Sequence, residues 1–331
     1  MSKTEHHTDW RQHFLDAVTD PLELLQLLRL PEHCISMESA ARYPLFVTRS
    51  FLSHIEPKNP QDPLLLQVLP QHEELIPNPD FYSDPLQELS NSETVPDCLQ
   101  KYPDRLLVLA NDSCAVHCRF CFRRHFPQKK RPFFQENQEK KLTNLHVPEV
   151  ILSGGDPLML DNAALEKLLY YMEESPSVNR VRIHTRLPIM IPKRINDELL
   201  AIFQKFCQSR ARRAVYVVLH VNHPHELSDE VLAGIAKLID SGFPVLSQSV
   251  LLRNVNDSFE TLAELFVKLV DHRITPYYLH QLDRVAGAAH FEVSVEIGRK
   301  LVRQLRDSLS GYAVPRYVRE IPGQSGKRHL V

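Results

Sequence analysis

This sequence predicts an α/β protein built on a partial barrel of parallel strands, preceded by a helical and proline-rich extension. Three observations carry that expectation. From about residue 104, short apolar runs alternate with amphipathic stretches of helical period. The runs show little polar alternation, as strands buried on both faces do. Residues 1–100 lack this rhythm and are crowded with proline.

Taken in order, helical patterns cover 10–18 and 21–30, the second opened by Pro21, a residue suited to the first turn of a helix. Pro57, Pro60, Pro63, Pro70, Pro77, Pro79 and Pro85 follow. Proline at that density bars long helices and central strands. An ordered wrapping segment or a partly mobile arm is expected there. Strands are predicted at 106–110, 150–153, 181–185, 215–221, 245–252 and 276–282. Helices are predicted at 163–174, 197–210, 229–241, 259–271 and 294–309, with Asp161, Ser228 and Ser258 placed to cap three of them. Six such units imply right-handed crossovers and a curled sheet, a partial (β/α)6 TIM-like barrel. The apolar stretch 314–318 leads into a tail, so the expected organisation is 1–100, 101–313 and 314–331.

The bulk properties narrow the function. A net charge of −2 argues against a protein that coats nucleic acid. No apolar run reaches membrane-spanning length, and the polar start lacks a signal core, so a cytoplasmic enzyme is expected. Three of the six cysteines crowd into eight residues, which points to cofactor chemistry in a reducing compartment. Cys34, Cys98 and Cys207 are isolated and read as small core residues.

The strongest motif is Cys114-Ala115-Val116-His117-Cys118-Arg119-Phe120-Cys121, directly after the first predicted strand. Thiolates suit an iron–sulfur cluster or zinc. Three can wrap a four-iron cube and leave one iron open. Zinc would recruit His117 or His125, but the usual paired C-x2-C units are lacking. Ser153-Gly154-Gly155-Asp156 ends the second strand, at the barrel end where active sites form. Glycine is scarce, nine in all, so paired glycines mark a close backbone approach. Near the C-terminus, Gly323 and Gly326 precede Lys327, and such a turn allows a phosphate to approach. His220, His223 and His225 form either a metal site or a polar turn, and the basic run 123–131 either a solvated face or a guide for an anionic partner.

The cysteine spacing and its place after the first strand resemble the radical S-adenosylmethionine superfamily. Further stretches resemble the lysine 2,3-aminomutase family: Tyr102-Pro103-Asp104-Arg105, Arg123-Arg124, Leu152-Ser153-Gly154-Gly155-Asp156, Arg182-Ile183-His184-Thr185-Arg186, His220-Val221-Asn222-His223-Pro224, Gln248-Ser249-Val250-Leu251-Leu252, Pro276-Tyr277-Tyr278 and Pro322-Gly323-Gln324-Ser325-Gly326-Lys327. The resemblance implies a barrel of the radical S-adenosylmethionine type. It places a [4Fe–4S] cluster on Cys114, Cys118 and Cys121. S-adenosylmethionine would sit at Ser153, Gly154, Gly155 and Asp156, with His220, Gln248 and Arg105 as further cofactor contacts. Pyridoxal 5'-phosphate would be held by Lys327 as a Schiff base.

For the substrate, free L-lysine, the resemblance assigns Arg123 to the carboxylate and Asp283 and Glu320 to the distal ammonium. The product would be β-lysine. The form without a zinc-binding C-terminal extension resembles the branch that makes (R)-β-lysine for attachment to elongation factor P by a partner ligase. A flavodoxin or ferredoxin would supply electrons, and a homo-oligomer is compatible. Two residues depart from the family pattern: Glu320 stands for aspartate and His280 for tyrosine. Two other readings are a radical enzyme acting on RNA or a protein side chain, and a non-catalytic zinc module.

Overall fold

The computed structural model describes residues 9–89, 98–126, 142–143, 145–324 and 326–331. Five short helices come first: α1 (Trp10–Leu15), α2 (Pro21–Leu28), α3 (Met37–Arg42), α4 (Arg49–Leu52) and α5 (Pro63–Leu66). Both early helices stop short of their apolar patterns. In α2 the cause is Arg29, whose left-handed φ of 54° turns the chain two residues early.

The strands are β1 (Cys98–Tyr102), β2 (Arg105–Asn111), β3 (Glu149–Gly154), β4 (Arg180–Thr185), β5 (Ala214–His220), β6 (Val245–Leu251), β7 (Thr275–Gln281), β8 (Arg316–Arg319) and β9 (Arg328–His329). They lie in sequence order in one sheet. Pairing from β2 to β8 is parallel throughout, one strand more than the six units expected. β1 and β9 flank it as antiparallel edges. Among the described residues these two edges do not pair with each other, so the barrel is partial and open on one side.

Helices α6 (Asn162–Glu174), α7 (Leu187–Met190), α8 (Asp197–Gln208), α9 (Asp229–Asp240), α10 (Phe259–Asp271) and α11 (Val295–Ser308) follow their strands. Asp161, Ser228 and Ser258 cap α6, α9 and α10 as expected, and Asn196 and Ser294 do the same for α8 and α11. Each cap satisfies a backbone N–H left unpaired at a helix start.

One apolar core runs from Trp10, Val18 and Phe51 through Leu152, Val181 and Val217 to Leu330, so the N-terminal helices and the barrel share it. A smaller cluster of Leu66, Phe81, Phe120, Leu282, Val285 and Phe291 packs around the loop after β2. No helix among the described residues is long and apolar enough to cross a membrane.

Candidate active site

The loop after β2 carries the three cysteines, and the N-terminal extension fixes its shape. Val116 forms an antiparallel bridge to Val47. The His117 N–H donates to the Phe46 carbonyl at 2.9 Å, and the Arg119 N–H to that of Gln67 at 2.9 Å. The fully buried Arg119 guanidinium donates to Glu74 at 2.8 and 2.7 Å and to the carbonyls of Tyr43 and Ser39. Arg124 donates to the same carboxylate at 2.5 Å. Burying two guanidiniums is costly, and the charge-assisted bonds to one shared carboxylate offset that cost.

Burial pushes the Cys114 thiol well above its ordinary range, and neighbouring Asp156, Cys121 and Cys118 add to the rise. Burial likewise pushes Cys121 up to about 11. Arg186 Nη1 donates to Cys118 Sγ at 2.8 Å. Among the described residues no three His, Cys, Asp or Glu side chains gather as ligands of one metal ion. A cluster spreads its thiolates over separate irons. A set of three soft, mutually coupled sulfurs with a guanidinium beside one of them fits an iron–sulfur cluster, whose charge would favour the thiolates.

The glycine turn after β3 lies directly on this loop. A Cβ at Gly155 would stand 2.5 Å from the Ser113 carbonyl oxygen and 2.8 Å from that of Asn111. At Gly154, with φ of +106°, it would stand 2.7 Å from the Asn111 oxygen. The missing side chains thus let the ends of β2 and β3 touch. Asp156, expected to contact cofactor, uses its carboxylate within the protein. One oxygen accepts from Thr185 Oγ1 and the Leu158 N–H, the other from the N–H groups of Arg186 and Leu187. Four donors fill its lone pairs, so it locks the turn. Ser153 Oγ and the Gly154 carbonyl instead accept from Arg123 Nη1, at 3.1 and 3.3 Å.

Behind the cysteines, Arg186 also donates to Gln67 Oε1 at 2.7 Å and Glu226 Oε2 at 2.8 Å. Glu226 further accepts the N–H groups of Asn222 and His223. The histidines after β5 are part of this turn: the His225 N–H donates to His223 Nδ1 at 3.2 Å. His223 therefore stands in a polar turn.

Along a strand, alternate residues face the lumen. His184, His220 and His280 bring three imidazoles there from β4, β5 and β7. The buried Nε2 atom of each finds no partner among the described residues. Burial holds His184 and His280 well below the ordinary imidazole range, with Lys327 lowering both further. Burial and Arg186 bring His220 to about 3. Such orphaned nitrogens fit a bound molecule that fills the lumen and offers hydrogen bonds. Gln248 stands in register between His220 and Tyr278.

The open side of the barrel is bridged by side chains. The Lys327 N–H donates to Tyr102 Oη at 3.0 Å, and Arg105 stacks on the Tyr102 ring at 4.2 Å. Lys327 Nζ donates to one oxygen of Glu320 and Lys101 Nζ to the other. Burial opposes the charge on Glu320, but the two ammonium groups hold it below the usual carboxylate range. No described residue clamps Asp283 in this way. Burial pushes it up to about 7, with Lys327 pulling down and Glu320 and Glu88 adding to the rise. A cavity of about 510 Å³ lined by Gln324, Gly326, Lys327 and Arg328 opens at the tail.

Arg123 stands against the glycine turn after β3. Its Nε and Nη2 donate to Glu88 at 2.8 and 3.0 Å, so one edge of the fork is already filled by a carboxylate. Arg123 and Arg124, the first members of the basic run, are engaged in ion pairs. Residues 127–131 of that run and Ser325 of the tail lie outside the described residues.

Sequence reasoning missed Glu74, Glu88, Lys101 and His184. Only His184 left a signal, its period-two relation to Arg182 on a strand whose motif was noted. The others act on partners distant in sequence.

Three thiols after the first parallel strand, a glycine turn after the second and orphaned imidazoles in an open barrel define a radical S-adenosylmethionine enzyme. The Radical SAM superfamily profile matches residues 109–266. The chain belongs to the lysine 2,3-aminomutase family. It is 43% identical to the L-lysine 2,3-aminomutase of Escherichia coli K12 over 99% of this chain and 96% of that one. With the Haemophilus influenzae enzyme of the same name identity is 41% over 96% and 94%, and with that of Clostridium subterminale 35% over 96% and 77%. Streptococcus suis SuiB bound to S-adenosylmethionine is a solved structure with 16% identity, coverage of 66% and 51%, and a TM-score of 0.49.

Proposed function

We propose that this chain is an isomerase that moves the α-amino group of free L-lysine to the β-carbon. The observation that carries this reading is that Lys327 pairs with Glu320 and acts with it on the charge of Asp283, which also feels Glu88, the partner of Arg123. A diamino acid needs a guanidinium for its carboxylate and a carboxylate for its distal ammonium.

Cys114, Cys118 and Cys121 would hold the [4Fe–4S] cluster. Ser153, His220 and Gln248 would face S-adenosylmethionine, and Lys327 and Arg105 pyridoxal phosphate. When bound, these groups supply single-electron reduction, radical hydrogen transfer and a carbonyl that takes up amines. The protein's own share is positional. Arg123 fixes one end of lysine, while Asp283 and Glu320 fix the other. The β-carbon is thereby set at a constant depth in the lumen. Glu320 keeps its proton off because two ammonium groups surround it. His184 and His280 stay neutral beside Lys327, so they add hydrogen bonds without opposing a cationic substrate.

The product proposed is (R)-β-lysine, passed to a ligase that attaches it to elongation factor P, with flavodoxin or ferredoxin as reductant. Near full-length alignment with the L-lysine 2,3-aminomutase of Escherichia coli supports the aminomutase part of this reading.

Anaerobically reconstituted protein tests the reading. Turnover of L-lysine to (R)-β-lysine, resolved by chiral chromatography, should require all three groups and vanish in Lys327→Ala while iron content is kept. A protein that binds iron and cleaves S-adenosylmethionine but leaves lysine unchanged overturns it.

A further inference from the structure

We infer that Glu88 is a specificity-determining residue, an internal carboxylate that occupies the substrate-binding fork of Arg123 and is exchanged for the carboxylate of the incoming amino acid. This rests on the assignment of Arg123 to the substrate carboxylate.

The geometry is that of a ligand mimic. Arg123 Nε and Nη2 donate in parallel to the two oxygens of Glu88, at 2.8 and 3.0 Å, the bidentate pattern by which a guanidinium binds any free carboxylate. Nη1 is held elsewhere, on Ser153 Oγ and the Gly154 carbonyl. Four of the five N–H groups are thus engaged, and the remaining one cannot grip a carboxylate in two places. A substrate can obtain a two-point grip at the Glu88 edge only by displacing Glu88. Two N–H···O bonds break and two form, and one negative charge replaces another. The pair is largely buried, with 11% and 16% of the side chains exposed, so leaving the guanidinium unpaired would be costly.

Glu88 is delivered to this place by design of the chain around it. Asp84 accepts the N–H groups of Glu88 and Leu89 at 3.1 and 3.0 Å, forming a tight turn. Six residues upstream of Glu88, the Tyr82 N–H donates to the Arg284 carbonyl at 2.9 Å, and the Ala286 N–H to that of Tyr82 at 3.0 Å. The segment is therefore stitched to the loop that carries Asp283, and Glu88 is close enough for Asp283 to feel its charge.

The exchange admits ligands that bring a carboxylate and gives no such replacement to an amine without one. Glu88→Gln keeps the shape and removes the charge. Calorimetric titration of pyridoxal phosphate-loaded protein, without S-adenosylmethionine or reductant, should show L-lysine binding tighter by roughly five- to tenfold, the worth of replacing a charged competitor by a neutral one. 1,5-Diaminopentane, which lacks the carboxylate, should gain nothing. Glu88→Ser should shift the ratio of the two affinities in the same direction.

A merely structural Glu88 predicts that both ligands weaken together. That result, or an unchanged lysine affinity, overturns the inference provided Arg123→Met loses lysine at least tenfold. If Arg123→Met binds lysine as well as wild type, the carboxylate assignment itself falls and the Glu88 exchange falls with it.

Discussion

Asp283 and Glu320 are two carboxylates near one lysine, shifted in opposite directions by their surroundings. Glu320 is clamped by Lys327 and Lys101, whereas Asp283 is raised to about 7 chiefly by burial. The sign follows from linkage. A carboxyl whose pKa is higher in the folded protein is penalised when ionised, and the penalty grows as pH climbs from the ordinary carboxylate range through 7. Asp283→Asn should therefore raise Tm at pH 8 and leave it near wild type at pH 4.5, as calorimetric scans would show. An ammonium ligand needs the ionised form, so lysine affinity should strengthen from pH 6 to pH 8 in wild type, with proton release detectable in buffers of different ionisation enthalpy. The Asn variant should lose that slope. At this scale the sequence was legible where chemistry is local. Three cysteines in eight residues and a lysine after paired glycines announce themselves. Glu88 and Lys101 do not, because their meaning lies in Arg123 and Glu320, 35 and 219 residues away. Asp156 was legible as important, but its saturation by four donors belongs to the folded turn.

At the scale of elements, the strand-to-loop junctions set the precision of the site. The ends of β2 and β3 touch through two glycines, and the Gly155 N–H donates to the Asn111 carbonyl at 2.5 Å. A methyl group at Gly155 meets backbone on several sides, so the cysteine loop must shift to admit it. Gly155→Ala is expected to cost about 1–3 kcal/mol of stability and to lower the iron bound per chain after reconstitution. Gly311→Ala is the matched control, because nothing lies within 4 Å of its added Cβ. Equal iron content in the two variants would show that the contact does not shape the cluster loop. The parallel strands β2 to β7 were legible from their apolar runs, although β2 and β6 alternate fully buried with only partly buried residues, so one face is more open than the expected two buried faces. The structure makes Arg316–Arg319, which overlaps the last apolar stretch at 314–318, a seventh parallel strand, β8. β1 and β9 were not visible: Cys98–Tyr102 mixes buried and exposed residues, and Arg328–His329 is two residues long and exposed. Edges are defined by their partner, which a linear pattern does not display.

The whole molecule is a barrel left open, and its opening is where the tail is used. β1 and the tail meet through Tyr102 with Lys327, Tyr102 with Gly326, and Lys101 with Glu320 and the Ile321 carbonyl. These are side-chain contacts, each weaker than a strand ladder, so the tail can be ordered by them and still release locally. Tyr102 is central because its hydroxyl accepts the backbone N–H of Lys327 while its ring carries Arg105 on one face. Tyr102→Phe removes one hydrogen bond and keeps the ring. A bond of this kind is worth about 0.5–1.5 kcal/mol, which is roughly two- to twelvefold in an equilibrium constant. The variant should therefore bind pyridoxal phosphate several-fold more weakly, measured as borohydride-trapped adduct on Lys327 by peptide mass. Its Tm should remain within about a degree of wild type, because the barrel core is untouched. Amide exchange in 320–331 should quicken without a matching change in β3 to β6. If exchange quickens across the barrel as well, the tail is part of the cooperative fold rather than a separately ordered clasp.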